Sequence, residues 1–309
     1  MISQTFTFTD PSGQAVFVYS WLPDEGVPLR GALQIAHGMV ETAARYERFA
    51  SALTEAGYAV YANDHLGHGQ TAGDVSLVGT SGDDGFRRMV EHMRRLNGII
   101  RERYPQTPLF LFGQSMGSFL AQRYASDYGD TIRGVILSAA SGNMGPIIHA
   151  GVYLAKREMK RKGPHYRSKL LRALTFGGYN RSFRPTRTEY DFLSRDPEEV
   201  DKYINDPYCG VTATSQFYYN LFTGLRDIHK MEQLERIPKK LSIHLLSGDR
   251  DPLGKNGKGV LRLYRTFRKL GIEDVTIKLY PGGRHEMLNE TNRDEVFRDM
   301  IGWLDERAR

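Results

Sequence analysis

The chain of 309 residues contains a single cysteine, Cys209, so no disulfide can form within it and a disulfide-stapled fold is excluded. No stretch approaches the ~20 uninterrupted apolar residues that a membrane-spanning helix needs. Met1 to Gly13 alternates threonine and phenylalanine like a strand and lacks the charged-then-apolar pattern of an export signal. Internal repeats and low-complexity tracts are missing as well. These absences leave a cytoplasmic enzyme or binding protein as the expectation. The chain is 40% hydrophobic and 25% charged, the proportions of a soluble globular protein. Its length suits one large α/β domain, or such a domain carrying an insertion.

Acidic residues are scarce in one region. Between Ala150 and Tyr190 stand Lys156, Arg157, Lys160, Arg161, Lys162, Arg167, Lys169, Arg172, Arg181, Arg184 and Arg187, against only Glu158 and Glu189. That excess is larger than the net charge of +6 carried by the whole chain, so the remainder is mildly acidic. Such segregation marks either a surface that meets something anionic or a solvated helix face.

Strand and helix signals alternate along most of the chain. Thr5–Thr9 and Val16–Trp21 form a hairpin pattern around Asp10-Pro11-Ser12-Gly13. Ala32–Ala36, Tyr58–Ala62, Leu109–Phe112, Gly134–Ser138, Leu241–Leu246 and Val275–Tyr280 are short apolar strands. Tyr46–Ala56, Phe86–Arg103, the segment after Ser115 and Val296–Arg307 have helical spacing. This alternation predicts an α/β protein with a mainly parallel sheet covered on both faces. From about Ala140 to Ile237 the rhythm stops, and basic, aromatic, helix-like segments replace strands. A length of this size cannot stay structureless in a compact domain, so a helical insertion is expected there, overhanging the carboxyl ends of the strands. The expected division is a core of residues 1–140 and 238–309 and a helical cap of residues 141–237.

The most informative motif is Gly113-Gln114-Ser115-Met116-Gly117, between an apolar strand and a helix. In that setting G-x-S-x-G is a nucleophile elbow, a turn so tight that side chains two positions either side of the serine would collide with neighbouring backbone. An activated serine needs a base, and the base needs an orienting acid. His285, in the loop after the last expected strand, fits the base better than the other eight histidines. For the acid, Ser247-Gly248-Asp249-Arg250-Asp251-Pro252 follows a strand end; Asp251 is preferred because Pro252 redirects the chain at once, and Asp249 is the alternative. The order Ser115, Asp251, His285 is that of hydrolases built on parallel sheets. Two N–H donors are required for the oxyanion: Met116 supplies one, and Met39, in His37-Gly38-Met39-Val40-Glu41, is the candidate for the other. Asp64-His65-Leu66-Gly67-His68-Gly69-Gln70 has the look of a metal cluster but is better explained as a hydrogen-bonded turn. Gly254, Gly257 and Gly259 are not followed by the lysine and hydroxyl pair of a phosphate loop. No metal and no cofactor are expected. Phe217-Tyr218-Tyr219 through Phe222 is either buried core of the insertion or part of an acyl-binding wall.

The set His37-Gly38-Met39-Val40-Glu41, Asp64 with Gly67-His68-Gly69, Gly113-Gln114-Ser115-Met116-Gly117, Gly248 with Asp251, and Arg284-His285-Glu286 resembles the α/β-hydrolases of the monoacylglycerol lipase and bacterial lysophospholipase group, often called serine aminopeptidase S33-like. The resemblance implies the α/β-hydrolase fold and a cofactor-free serine hydrolase acting on small carboxylic esters, often monoacylglycerols or lysophospholipids, beneath a helical cap. By motif position it implies Ser115 as nucleophile, Asp251 as acid, His285 as base, and Met39 and Met116 as oxyanion donors. The insertion here is longer and more basic than the compact cap of small bacterial relatives, which leaves the substrate open. Amide, prolyl-peptide or thioester cleavage on the same scaffold, and a non-catalytic ligand-binding role, are the alternatives. Relatives with dehalogenase or epoxide hydrolase activity carry an aspartate where Ser115 stands. The basic insertion suggests peripheral contact with anionic lipid surfaces; no nucleic-acid partner is expected, and the oligomeric state is not legible.

Overall fold

The computed structural model describes residues 1–309. Eight strands form one sheet: β1 (Ile2–Thr9), β2 (Ala15–Leu22), β3 (Gly31–Ala36), β4 (Tyr58–Asn63), β5 (Leu109–Gln114), β6 (Gly134–Ser138), β7 (Ser242–Gly248) and β8 (Val275–Tyr280). Their spatial order is β1-β2-β4-β3-β5-β6-β7-β8. The first two strands pair antiparallel with each other, β2 pairs antiparallel with β4, and all later pairings are parallel. In β3, β4, β5 and β6 every residue is buried, as expected of parallel strands covered on both faces.

Helices Gly85–Arg103, Met116–Tyr128 and Lys258–Lys269 cover one face, contributing Met89, Val90, Met93, Phe119, Leu120, Leu263 and Phe267 to its core. Helices Glu47–Glu55 and Arg293–Arg307 cover the other with Phe49, Leu53, Phe297, Met300 and Trp303. A helix beyond those expected from sequence spans Lys258–Lys269, where Val260, Leu263 and Phe267 lie on one stripe and bury against the sheet. The helix expected over Tyr46–Ala56 is present as Glu47–Glu55, preceded by a 3₁₀ turn at Ala43–Tyr46.

Between β6 and β7 the chain makes five α-helices and no strand: Pro146–Lys162, Lys169–Phe176, Pro197–Asn205, Ser215–Asp227 and Met231–Leu234. Phe217 and Tyr218 of the fourth helix are fully enclosed and join the main core on the face covered by Gly85–Arg103. The aromatic stretch that sequence left undecided is therefore core. No helix is long and apolar enough to cross a membrane.

Candidate active site

Register brings the strand ends to one level. Ala36 pairs with Gly113, Gln114 with Ser138, Ser138 with Leu246, and Gly248 with Tyr280. The loops that leave β3, β5, β7 and β8 consequently converge at the carboxyl edge of the sheet, where open α/β sheets place their sites.

Ser115 sits between the end of β5 and helix Met116–Tyr128 with φ 52° and ψ −114°, a conformation that non-glycine residues rarely adopt. The flanking glycines let that turn close. A Cβ on Gly113 would lie 2.4 Å from the Gly117 carbonyl oxygen, and one on Gly117 would lie 2.0 Å from that of Ala36. No side chain fits either gap. Met116 opens the helix, whose first-turn N–H groups have no partner within it and carry the positive end of its dipole.

His285 Nε2 lies 3.0 Å from Ser115 Oγ, and His285 Nδ1 lies 2.9 Å from Asp251 Oδ1. A carboxylate accepts, so Nδ1 carries the proton and Nε2 is free to take one from the serine. Asp251 is completely buried; its Oδ1 also accepts Leu253 N–H at 3.0 Å, and Ser247 Oγ donates to its Oδ2 at 3.3 Å. Asp249 does something else. Its side chain is 41% exposed and accepts Gly282 N–H at 2.8 Å, tying the β7 turn to the β8 turn. Burial alone would depress the His285 pKa, but the Asp251 carboxylate outweighs it and holds the ring above the ordinary histidine value.

The histidine loop is fastened from three sides. His285 N–H donates to Phe192 O at 3.2 Å and Glu286 N–H to Leu193 O at 2.8 Å, both in the inserted segment. Gln114, next to the serine, donates through Nε2 to His285 O at 3.0 Å. Arg45 grips both oxygens of Glu286 at 2.9 and 2.7 Å and also pairs with Glu41. Burial would raise the Glu286 carboxyl, yet the Arg45 guanidinium holds it below its usual value. Glu41 in turn accepts Gly38 N–H and Tyr46 OH. Sequence reading missed this chain because Arg45 and Glu286 are 241 positions apart and no local pattern joins them.

Met39 lies in the turn that follows β3, and a Cβ on its neighbour Gly38 would lie 3.5 Å from Ser115 Cβ. The aromatic side chains beside His285 come from another part of the insertion than Phe217–Phe222. The Phe192 ring is centred 5.9 Å from the His285 ring; Tyr179 meets Phe192 edge to face at 5.1 Å and Phe176 stacks on it at 6.3 Å. Asp64 accepts Ala43 N–H and Gln70 N–H at 2.8 and 2.7 Å and His68 Nδ1 lies 3.0 Å from Leu66 O, whereas both ring nitrogens of buried His65 have no hydrogen-bond partner.

The family model described as serine aminopeptidase, S33, matches residues 27–292. The chain belongs to that family. Across 98% of its length it is 29% identical to a monoacylglycerol lipase of Mycolicibacterium smegmatis, covering 99% of that protein. It is 27% identical to the monoglyceride lipase of Homo sapiens, over 96% of this chain and 88% of the human protein. Among solved structures, a highly thermostable carboxyl esterase from Bacillus coagulans, in complex with glycerol, superimposes with a TM-score of 0.92 at 31% identity, and 100% of each chain is covered. The α/β-hydrolase fold of this S33 family member is thus shared with that esterase over the full length of both chains.

Proposed function

We propose that this protein is a serine esterase that cleaves carboxylic esters of small lipids, of the monoacylglycerol or lysophospholipid type, through an acyl-enzyme. As a member of the family it is a carboxylic-ester hydrolase of the α/β-hydrolase fold. The finer reading rests on one observation, the unbroken relay from Ser115 Oγ through the His285 ring to Asp251 at 3.0 and 2.9 Å.

In this mechanism Ser115 Oγ attacks the ester carbonyl carbon while His285 Nε2 takes its proton. Asp251 stabilises the imidazolium that forms. The carbonyl oxygen becomes negative and accepts the N–H groups of Met39 and Met116. Collapse of the tetrahedral centre expels the alcohol, which takes the proton from His285 and leaves the acyl group on Ser115. Water then gives a proton to His285 and attacks the acyl carbon, which releases the acid and restores the serine.

The lipid class is supported by the names of the relatives and by the apolar wall of Phe176, Tyr179 and Phe192 beside His285. We read residues 141–237 as the cap over this site. Its basic outer helices favour peripheral contact with anionic lipid surfaces, at about 1 kcal/mol per well-placed cation. The test is a hydrolysis panel of p-nitrophenyl esters of rising chain length, monoacylglycerols, lysophospholipids, a matched thioester and an N-terminal proline amide, with Ser115→Ala as blank. Lipid esters should be preferred, and Ser115→Ala should lower turnover by about 10⁴-fold or more. Preference for the amide, or activity retained by Ser115→Ala, would overturn the proposal.

A further inference from the structure

The turn after β3 is gripped from its buried side by a histidine that the triad does not use. His37 Nε2 accepts the backbone N–H of His65 at 2.9 Å, and His37 Nδ1 lies 2.8 Å from Gly38 O. A backbone amide can only donate, so Nε2 must present its lone pair. In a neutral ring the proton then resides on Nδ1, and Nδ1–H donates to Gly38 O. Burial, and then the His65 and His68 rings centred 4.3 and 5.1 Å away, push this imidazole well below the ordinary histidine range, so it stays neutral. The loop that supplies the His65 N–H is itself pinned by Asp64, through Ala43 N–H and Gln70 N–H. Both nitrogens of His37 therefore have fixed, opposite roles.

The consequence follows from peptide planarity. In a trans peptide the C=O and the N–H point in opposite directions. With Gly38 O turned into the histidine cluster, the N–H of Met39, on the same peptide, faces away from it, and no acceptor within the protein takes that N–H. The preceding peptide is held as well, since Gly38 N–H donates to Glu41 Oε1 at 2.5 Å. Gly38 also borders the nucleophile, close enough that a Cβ there would touch Ser115 Cβ at 3.5 Å. We infer that His37 is a positioning residue which, through Gly38 O, aims the Met39 N–H at the substrate oxygen that becomes negative when Ser115 attacks. The inference rests on the serine-esterase reading above and assigns a role to the buried histidine cluster.

Two substitutions separate the two ring nitrogens. In His37→Asn the side-chain amide N–H stands near Nδ1 and can still donate to Gly38 O. In His37→Gln the amide oxygen reaches toward His65 N–H, and the donor to Gly38 O is lost. Turnover of a short p-nitrophenyl ester, inhibition by an alkyl trifluoromethyl ketone and thermal unfolding are measured for each. The ketone adds Ser115 to give an oxyanion, so its affinity reports the donors directly. His37→Gln should lose about 100-fold in kcat with KM changed less than about twofold, and ketone affinity should fall in step. His37→Asn should stay within about tenfold of the parent in both. A folded His37→Gln with parental kcat and ketone affinity would overturn the inference. A rise in KM alone, or failure of both variants to fold, would do so too, since the ring would then serve substrate binding or the fold as a whole. Absence of ketone inhibition in the parent would instead remove the serine-esterase reading beneath it.

Discussion

Two stretches of the inserted segment lie between the same pair of strands and are held in opposite ways. The outer stretch, Pro146–Lys162 and Lys169–Phe176, leaves Ile147, Tyr153, Leu170 and Leu174 71, 64, 52 and 58% exposed, in the same helices as Lys156, Arg157, Lys160, Arg161 and Lys169. The inner stretch, from Phe192 to Glu199, is bolted to the catalytic edge. Its backbone accepts His285 N–H and Glu286 N–H, Arg195 pairs with buried Glu290, Arg293 with Asp196, and Arg48 with buried Glu199. Apolar and basic groups that stay in water leave a surface free for a partner, whereas ion pairs with one buried member fix a geometry. The contrast teaches that one insertion can leave its charges in water at one end and pair them at the other.

The most severe way to break the inner half's purpose is from the other side of the ring it steadies. Asp251→Asn should lower kcat/KM by about 10³- to 10⁴-fold, whereas Asp249→Asn should stay within about threefold, read on a soluble ester. Next comes the inner half itself. Glu290 accepts Arg284 N–H and Arg195 Nε at 2.9 and 2.8 Å, so Glu290→Gln should cost about 2 kcal/mol in urea unfolding and about tenfold in kcat. Loss of stability without loss of kcat would mean that the inner half holds the fold but not the histidine.

On the outer half, Lys160→Glu with Arg161→Glu should lower hydrolysis in anionic vesicles by about tenfold and leave a short soluble ester within twofold. Added salt should reproduce the vesicle defect in the parent, and an equal salt response for both substrates would dissolve the contrast. The smallest effect concerns pH. The base must be neutral to take the serine proton, and Asp251 holds His285 above the ordinary histidine value. The acid limb of kcat/KM should therefore bend above about pH 6.5. A limb bending below that value would mean that burial of the ring prevails over its carboxylate.

Local constraints explain what was legible. The elbow can be read because its requirements fall within five residues, with no room for a Cβ at either glycine. The sheet can be read because strands buried on both faces leave continuous apolar runs. Asp249 and Asp251 stand two positions apart in one turn; Pro252 favours Asp251 locally, but which side chain faces the His285 ring and which faces water is set by the fold. The same holds for the aromatic wall. Phe217 and Tyr218 stand out in sequence but pack into the core, while Phe192, with Tyr179 against it, lies beside His285 because backbone bonds from the histidine loop draw Phe192 there.

The sequence by itself determined the alternating α/β architecture, the position of the elbow and the chain order of serine, acid and histidine, since each depends on backbone geometry or burial over a few residues. Tertiary structure alone decided how Arg45 joins Glu41 to Glu286 and which way the Gly38–Met39 peptide faces. Those outcomes depend on groups brought together from β3, β5, β7 and β8. Hydrogen bonds and charges act over a few ångströms, and only the assembled sheet puts those groups within that reach.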